Sequence, residues 1–213
     1  MSPTAPTVPR RLTRATLLEG VAALSATDDA LAGVVRRCGP PPLWGRRPGF
    51  ATLVRIILEQ QVSLASARAT YDRMEHALGE ITPARLSSVS AAEVRRAGVT
   101  RQKASYCVGL ATQLERGDLD LGRIGRLGDD EVRTALMAVR GIGKWTADIY
   151  LLMALRRPDV WPDGDLALEA AAQDVLRLRS RPSRDRLRRL ARRWRPWRAV
   201  AARILWHHYL SSR

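Results

Sequence analysis

The stretch Leu136-Met-Ala-Val-Arg-Gly-Ile-Gly-Lys-Trp-Thr-Ala147 predicts a helix, a tight turn and a second helix. Gly141 and Gly143 flank one apolar residue, and a helical pattern begins at Lys144. Glycine adopts positive φ readily and leaves its backbone amide uncovered. The amides of the turn and of the following helical turn would point at one place, where the helix dipole also favours an anion. The stretch therefore predicts a helical hairpin that binds phosphate.

A second turn, Trp161-Pro-Asp-Gly-Asp-Leu166, follows about twenty residues later and offers two carboxylates, Asp163 and Asp165. Aspartate is also a favoured N-cap residue, so a purely structural capping role ahead of Leu166 is the alternative interpretation. A phosphate-binding hairpin followed by a carboxylate turn indicates chemistry on a nucleic acid.

The overall charge also favours a polyanionic partner. The 213 residues carry a formal net charge of +15, and 46% of them are hydrophobic, enough for one large domain or two small ones. Eleven arginines and a single acid, Asp185, lie between Arg177 and Arg198. Such a field raises the encounter rate with nucleic acid, although a solvated helical face is the simpler interpretation of this run.

Composition excludes several other classes. No apolar run reaches the roughly 18 residues of a membrane span, so no membrane association is expected. Residues 1–14 lack the apolar core of a signal peptide, and we expect a disordered lead and a cytoplasmic protein. Cys38 and Cys107 stand far apart, and the three histidines form no metal-binding array, so neither zinc nor an iron–sulfur cluster is expected.

The hydrophobic periodicity predicts an all-α protein of around ten short helices. No segment shows the alternation of a strand. Thr82 with Pro83 and the Ser90–Glu93 box are clear helix starts, Asp129 is expected to cap the helix before the hairpin, and residues 117–128 are expected to form a loop. The expected helices cover Thr16–Cys38 with a break near Ser25–Asp29, Phe50–Leu58, Leu64–Leu78, short segments after Thr82 and Ser90, Arg101–Glu115, Glu131–Val139, Lys144–Leu155, Leu166–Leu176, Asp185–Trp194 and Trp197–Leu210.

The glycine turn is not a nucleotide-binding loop. A P-loop would place glycine at Ala138 and serine or threonine at Trp145, and a strand would precede it. A dinucleotide-binding fold fails for the same reason. An ordinary turn between two antiparallel helices remains the alternative to a helix-hairpin-helix motif, which grips the DNA backbone without reading sequence.

The chain contains four blocks typical of one known family. In chain order they are Ile57-Leu-Glu-Gln-Gln-Val-Ser63, the hairpin Leu136–Ala147, Val160-Trp-Pro-Asp-Gly-Asp-Leu-Ala-Leu168, and Arg193-Trp-Arg-Pro-Trp-Arg198 leading to Trp206. In this order they resemble the helix-hairpin-helix (HhH-GPD) superfamily of DNA glycosylases, and within it the alkylbase or 3-methyladenine DNA glycosylase II branch. The similarity covers roughly Phe50 to Tyr209.

This resemblance implies an all-α fold of two helical lobes with a cleft between them. One lobe would combine residues 15–50 with 158–213. The other would span residues 51–157 and carry the helix-hairpin-helix at about 129–155. Larger bacterial relatives add an N-terminal β-rich domain, for which this chain is too short.

The resemblance also implies an activity. Such enzymes extrude a damaged nucleotide and cleave its N-glycosidic bond, leaving an abasic site. The expected substrates are alkylated purines such as 3-methyladenine or 7-methylguanine in double-stranded DNA. The catalytic carboxylate matches Asp165, with Asp163 in reserve. Relatives that also cut the backbone use a lysine that would fall at Trp145, and the adjacent Lys144 points about 100° away on a helix, so no AP-lyase activity is expected.

The remaining site residues are carried over from the same resemblance. Tryptophans at such positions stack on flipped bases, with core packing as the alternative. The base pocket would be lined by Trp145, Ile149, Leu166 and Trp206. Ile149 and Leu166 fall at positions where well-known relatives have tyrosines. The DNA backbone would meet Gly141, Gly143, Lys144 and Thr146. Gln61 matches the wedge that fills the space of the flipped nucleotide. No cofactor is required, but a monovalent cation could bind the main-chain carbonyls of Met137, Val139 and Ile142.

Two alternatives stay open on the sequence. The same fold could act on oxidised or deaminated bases, or the chain could be a non-catalytic helix-hairpin-helix DNA-binding protein. The combination of Asp165, Trp145 and Trp206 argues against the non-catalytic class. We expect a monomer that associates with the bacterial-type nucleoid by binding DNA.

Overall fold

The computed structural model describes residues 11–212, and within this range the chain is helical and contains no strand. The all-α expectation is therefore confirmed for the described part. The thirteen α-helices of this range are α1 Arg14–Thr27, α2 Asp29–Cys38, α3 Phe50–Glu59, α4 Leu64–Leu78, α5 Pro83–Ser87, α6 Ala91–Arg96, α7 Arg101–Glu115, α8 Leu121–Ile124, α9 Asp129–Met137, α10 Lys144–Ile149, α11 Leu166–Val175, α12 Arg184–Leu190 and α13 Arg198–Ser211.

The chain divides into two compact units. The terminal unit consists of the described residues up to Gly45 together with the described residues from Leu155, and the central unit is Arg46–Ala154. The cleft expected between two lobes stays a prediction. No helix among residues 11–212 is long and apolar enough to cross a membrane.

Residues 12–14 of the expected disordered lead are folded. Residues 1–10 lie outside the described residues. Leu12 is fully buried, and its amide donates a hydrogen bond of 2.7 Å to the carbonyl of Arg156. Thr13 caps α1 by accepting a hydrogen bond from the amide of Thr16. Residues 12–14 therefore belong to the folded terminal unit, because Leu12 has apolar surface to bury and Thr13 satisfies the helix start.

The terminal unit is built around α13, which packs against α11, α2 and α1. A Cβ on Gly20 of α1 would lie 2.7 Å from the ring of Trp197, so glycine allows α1 to lie directly against this tryptophan. Arg198 at the start of α13 forms a two-pronged ion pair with Asp159, with Nε–Oδ1 and Nη2–Oδ2 distances of 2.8 and 2.9 Å. Part of the arginine run is therefore structural.

Tryptophan and arginine side chains from the same run also hold the α1–α2 junction. Asp28 caps α2. Its Oδ2 accepts a hydrogen bond of 2.7 Å from Nε1 of Trp194 and forms an ion pair with Nη2 of Arg193 at 2.9 Å. Trp194 is 1% exposed, so it is a core residue. The tryptophans at 194 and 197 thus anchor the arginine-rich segment to the terminal unit rather than leave it as a tail.

The central unit packs α5 and α6 against α7, and α3 against α4 and α7. Its hairpin helices are α9 and α10, and α10 continues into a π-helical turn over Tyr150–Ala154. The hydroxyl of Tyr150 accepts a hydrogen bond of 3.0 Å from the amide of Gly49, just before α3. Burial raises the pKa of Tyr150, so this hydroxyl stays protonated throughout the physiological pH range.

Local helix signals are largely confirmed, with four corrections. Thr82 with Pro83 and the Ser90 capping box are confirmed. Gly128, not Asp129, precedes α9, because the side chain of Glu131 accepts the Gly128 amide at 2.9 Å. Asp120 nucleates the short helix α8 inside the expected loop. The second hairpin arm changes to π geometry at residue 150, and the segment after α12 is a 3-10 turn over Ala191–Trp194.

Candidate active site and nucleic-acid interface

The hairpin turn requires glycine at position 141 for two reasons. Gly141 has φ of +92°, a left-handed conformation that strains other residues. A Cβ there would also lie 2.2 Å from Cγ of Tyr106 on α7. The turn is therefore pressed against the ring of Tyr106, which fixes its position on the central unit.

Gly143 has a different environment. Its φ of −91° is accessible to any residue, it is exposed, and a Cβ would meet no heavy atom within 4 Å. It forms the N-cap of α10 without a side-chain hydrogen bond to the helix amides. The packing of the described residues thus does not require glycine here, whereas close approach of an external backbone would.

Gln60 braces the hairpin from the end of α3. Its Nε2 donates to the carbonyl of Gly141 and to Oγ1 of Thr146, both at 3.0 Å. Thr146 is 2% exposed, so any contact of Thr146 with DNA would come from its backbone rather than its hydroxyl. Sequence reasoning missed Gln60, because its partners lie more than 80 residues away in the chain.

Lys103 of α7 supports Gln60 in turn. Its Nζ donates to the carbonyls of Leu58 and Gln60 at 2.7 and 2.8 Å. These carbonyls lie at the C-terminal end of α3, where the helix dipole favours a cation. Partial burial lowers the pKa of Lys103, the nearby Cys107 acting weakly in the opposite direction.

A buried carboxylate holds the first turn of α10. Asp148 is fully buried, and its two oxygens pair with Nε of Arg133 at 2.6 Å and Nζ of Lys144 at 2.9 Å. Burial acts to lower the pKa of Arg133, but the hydrogen bond and charge of Asp148 outweigh it and raise this pKa. The expected phosphate ligand Lys144 therefore also has a structural partner, which its spacing of four residues from Asp148 could have revealed.

The expected wedge, Gln61, is exposed and follows Gln60 directly. It adopts φ of +58°, which is uncommon for a residue with a side chain. The next residues are also exposed, including the apolar side chains of Val62 at 45% and Leu64 at 59%. The loop thus presents one polar and two apolar groups to solvent.

The carbonyls expected to hold a cation lie at the hairpin turn. Val139 accepts a hydrogen bond of 3.1 Å from the amide of Ile142, which leaves its second lone pair for another partner. Met137 ends α9 and is 47% exposed. Among the described residues, no group of three or more His, Cys, Asp or Glu side chains is arranged to hold a metal ion.

Asp165 and Trp206 are brought together in the terminal unit. Asp165 is the N-cap of α11, and its Oδ1 accepts hydrogen bonds from the amide of Leu168 at 2.9 Å and from Nε1 of Trp206 at 3.1 Å. The side chain is half-buried. Both sequence interpretations of Asp165 are therefore compatible, since capping orients the carboxylate without burying it.

Asp163 has a different environment on the same turn. It is 3% exposed, and its Oδ2 lies 3.5 Å from Nη1 of Arg188 on α12. A buried carboxylate paired with arginine is typical of a structural ion pair. The geometry thus separates the two acids and favours Asp165 as the one that meets a substrate.

The other expected pocket residues differ in exposure. Trp206 is 8% exposed, whereas Leu166 is 65% exposed at the first turn of α11. In the central unit, Trp145 is half-buried and Ile149 is 4% exposed. Their roles as a base pocket stay predictions.

Comparison with known proteins identifies what the chain resembles. Residues 54–196 match the model of the HhH-GPD superfamily base excision DNA repair proteins. The putative DNA-3-methyladenine glycosylase YfjP of Bacillus subtilis is 26% identical over 165 residues, covering 74% of this chain and 58% of that protein. A second B. subtilis relative, a DNA-3-methyladenine glycosylase, is covered over 56% of its length. The chain thus spans less than three fifths of these curated relatives.

Two solved structures share the fold. A DNA-3-methyladenine glycosidase from Bacillus halodurans has a TM-score of 0.73 and 30% identity, covering 89% of this chain and 88% of that one. The Schizosaccharomyces pombe 3-methyladenine DNA glycosylase Mag1, in complex with abasic DNA, has a TM-score of 0.78 and 24% identity, covering 88% and 95%. The second likeness concerns the fold alone.

Proposed function

Because this chain belongs to the HhH-GPD superfamily of base excision DNA repair proteins, we propose that it is a monofunctional DNA glycosylase acting on alkylated purines. It would extrude 3-methyladenine or 7-methylguanine from double-stranded DNA, hydrolyse the N-glycosidic bond and leave an abasic site. The relatives and solved structures described above carry 3-methyladenine glycosylase names, which supports this substrate class. The proposal also includes a monomer acting on nucleoid DNA in the cytoplasm.

The geometry of Asp165 is the observation that carries the proposal. Its Oδ1 is held by two N–H donors, one from the helix start and one from Trp206, while the side chain stays half-buried. A carboxylate oriented in this way can stabilise a developing positive charge without first reorganising. Capping alone accounts for the bond to the Leu168 amide but does not require the second donor from Trp206, which favours the catalytic proposal over a non-catalytic DNA-binding protein.

Hydrolysis of the N-glycosidic bond would need few groups of the protein besides this carboxylate. A purine alkylated on the ring carries positive charge and leaves readily, so the sugar becomes an oxocarbenium-like centre. Asp165 would stabilise that centre and accept a proton from the attacking water. Water supplies the hydroxyl at C1′, and the base departs neutral. No cofactor takes part in these steps.

The hairpin would hold the DNA backbone during extrusion. The exposed residue Gly143 and the start of α10 would suit a phosphate, with Lys144 adding charge. Gln61, exposed beside the braced Gln60, would occupy the space left by the flipped nucleotide. Oxygen ligands are what a monovalent cation prefers, so the carbonyls of Met137, Val139 and Ile142 would hold one and add positive charge beside the phosphate.

The lysines of the chain support hydrolysis without strand cleavage. A lyase forms a Schiff base through a lysine amine. Lys103 and Lys144 are the only two lysines, one bound to main-chain carbonyls and the other paired with Asp148. Borohydride trapping on abasic DNA is therefore expected to yield no covalent adduct, and an adduct at either lysine would contradict the monofunctional assignment.

Release of free bases from methylated duplex DNA tests the proposal. The wild type is expected to release 3-methyladenine or 7-methylguanine, and Asp165→Asn is expected to lower the rate by about 10²–10⁴-fold while preserving the cap. Asp120→Asn is the matched control, because Asp120 caps α8 with the same chemistry. Equal release by wild type and Asp165→Asn would refute the catalytic role, and release only of oxidised or deaminated bases would change the substrate class.

A further inference from the structure

Two arginines of α12 flank the turn that carries Asp165. Arg184 is exposed at the first position of α12, and a Cβ on Gly164 would lie 3.7 Å from its Cδ and Nε. Gly164 separates Asp163 from Asp165. Arg188, one helical turn later on the same face, reaches Asp163 while keeping its side chain 50% exposed. The side chains of α12 therefore border the carboxylate turn directly.

The two guanidinium groups differ in how their charge is matched. Arg188 is shared between Asp163 and Asp185. Arg184 forms no ion pair with any acid of residues 11–212. It thus places a positive charge beside the turn without a direct ion pair to a carboxylate of this range.

We propose that Arg184, assisted by Arg188, binds a phosphate of the DNA backbone next to the nucleotide presented to Asp165. The inference rests on the proposed function, since it assigns the occupant of the space beside Asp165. A guanidinium offers a planar fork that matches two phosphate oxygens. The terminal unit would then bring its own phosphate contact to the reaction rather than depend on the hairpin of the central unit.

A general cationic field is the competing explanation for the arginines of α12. Arg186 provides the comparison, because it is exposed on the same helix and forms no ion pair with an acid of the described residues. It lies two positions after Arg184, about 200° around the helix axis. In a diffuse cationic field, Arg184 and Arg186 would contribute equally to DNA binding. In a phosphate site beside Asp165, only Arg184 of these two would contribute.

The salt dependence of DNA binding separates these explanations. The affinity for a duplex containing a stable abasic analogue would be measured between about 50 and 200 mM salt for the wild type and for Arg184→Gln, Arg184→Lys and Arg186→Gln. Arg184→Gln is expected to reduce the slope of log affinity against log salt by about 0.9, the value of one phosphate contact. Arg184→Lys is expected to restore the slope, and Arg186→Gln to keep it.

Three results would overturn the proposal. Equal slope losses in Arg184→Gln and Arg186→Gln would indicate a diffuse field, and an unchanged slope in Arg184→Gln would remove the contact. A changed pH dependence of base excision with an unchanged slope would assign Arg184 to the Asp165 carboxylate instead. The salt slope measures DNA binding and not catalysis. A reduced slope in Arg184→Gln can therefore be observed whether or not the protein releases bases, so this test and the test of the proposed function can fail separately.

Discussion

Nε1 of Trp206 donates a hydrogen bond of 3.1 Å to Oδ1 of Asp165, which joins the middle of α13 to the N-cap of α11. Trp206 is 8% exposed, so its ring has little freedom to turn away. The tryptophan expected to stack on a base therefore also positions the carboxylate expected to act on it.

Replacing the indole separates these two roles. Trp206→Phe keeps an aromatic face but removes the N–H, and we expect kcat for base release to fall about tenfold, the equivalent of one hydrogen bond of about 1.4 kcal/mol. Trp206→Ala should also lower stability by about 3–5 kcal/mol through the cavity it leaves. Steady-state excision kinetics and urea denaturation measure both effects. A Trp206→Phe enzyme with the wild-type kcat would show that the N–H is dispensable.

The two hairpin glycines should respond differently to alanine. Gly141→Ala must place a methyl group against Tyr106 at positive φ, so the free energy of unfolding is expected to fall by about 2–4 kcal/mol. Gly143→Ala meets open space and should change stability by no more than about 0.5 kcal/mol. Duplex binding should nevertheless weaken in Gly143→Ala, because the methyl group holds a phosphate away from the amides. Wild-type DNA affinity in this variant would place the backbone contact elsewhere.

The support of the hairpin by Gln60 can be tested by removing the side-chain N–H donor. Gln60→Glu retains the shape but cannot donate to the carbonyl of Gly141 or the hydroxyl of Thr146. A loss of about 1–3 kcal/mol in the free energy of unfolding is expected, together with weaker DNA binding by the displaced hairpin. Gln113→Ala is the control on α7, since no hydrogen bond of its side chain occurs within residues 11–212. If Gln60→Glu and Gln113→Ala were equally stable, the brace would contribute nothing.

The thiol of Cys107 should make stability depend on alkaline pH. Burial raises its pKa from 9.0 to about 12, with Lys103 acting weakly in the opposite direction. Above pH ~8.5 the unfolded thiol loses its proton while the folded one keeps it, so the folded state loses stability by up to about 1.4 kcal/mol per pH unit until pH 12.

Cys107→Ala isolates this effect. Denaturation curves of the wild type and of Cys107→Ala between pH 7.5 and 10.5 should show that the stability advantage of the wild type shrinks as pH rises. The alanine variant retains every other titrating group and provides the baseline. Parallel pH profiles of the two proteins would mean that the native thiol ionises normally.

Features encoded by neighbouring residues could be predicted from the sequence. Ser90 with Glu93, and Thr82 with Pro83, define helix starts within three residues. Asp165 was predicted as a cap from its position ahead of Leu166, and the family resemblance ranked it over Asp163 as the catalytic candidate. The residues alone did not show that Asp163 is paired, because its partner Arg188 lies 25 positions later.

Contacts between distant segments of the chain were not predictable. Tyr106 under Gly141, and Gln60 beside Thr146, depend on how α7 and α3 meet the hairpin, which periodicity does not specify. The short helix α8 was missed because its four residues are too few to show a period, although Asp120 gave a capping signal. The buried ion pair between Arg133 and Asp148 was likewise not predictable, because both residues have the charged side chains that usually lie on the surface.

Gln60 and Gln61 divide two duties between adjacent positions, one facing inward to support the hairpin and the other facing outward at the loop. Exchange of the exposed residue at position 61 is therefore expected to leave the support of the hairpin by Gln60 intact. Under the proposed function, the group that fills the space of the flipped nucleotide could then change, by natural variation or design, at little cost in folding.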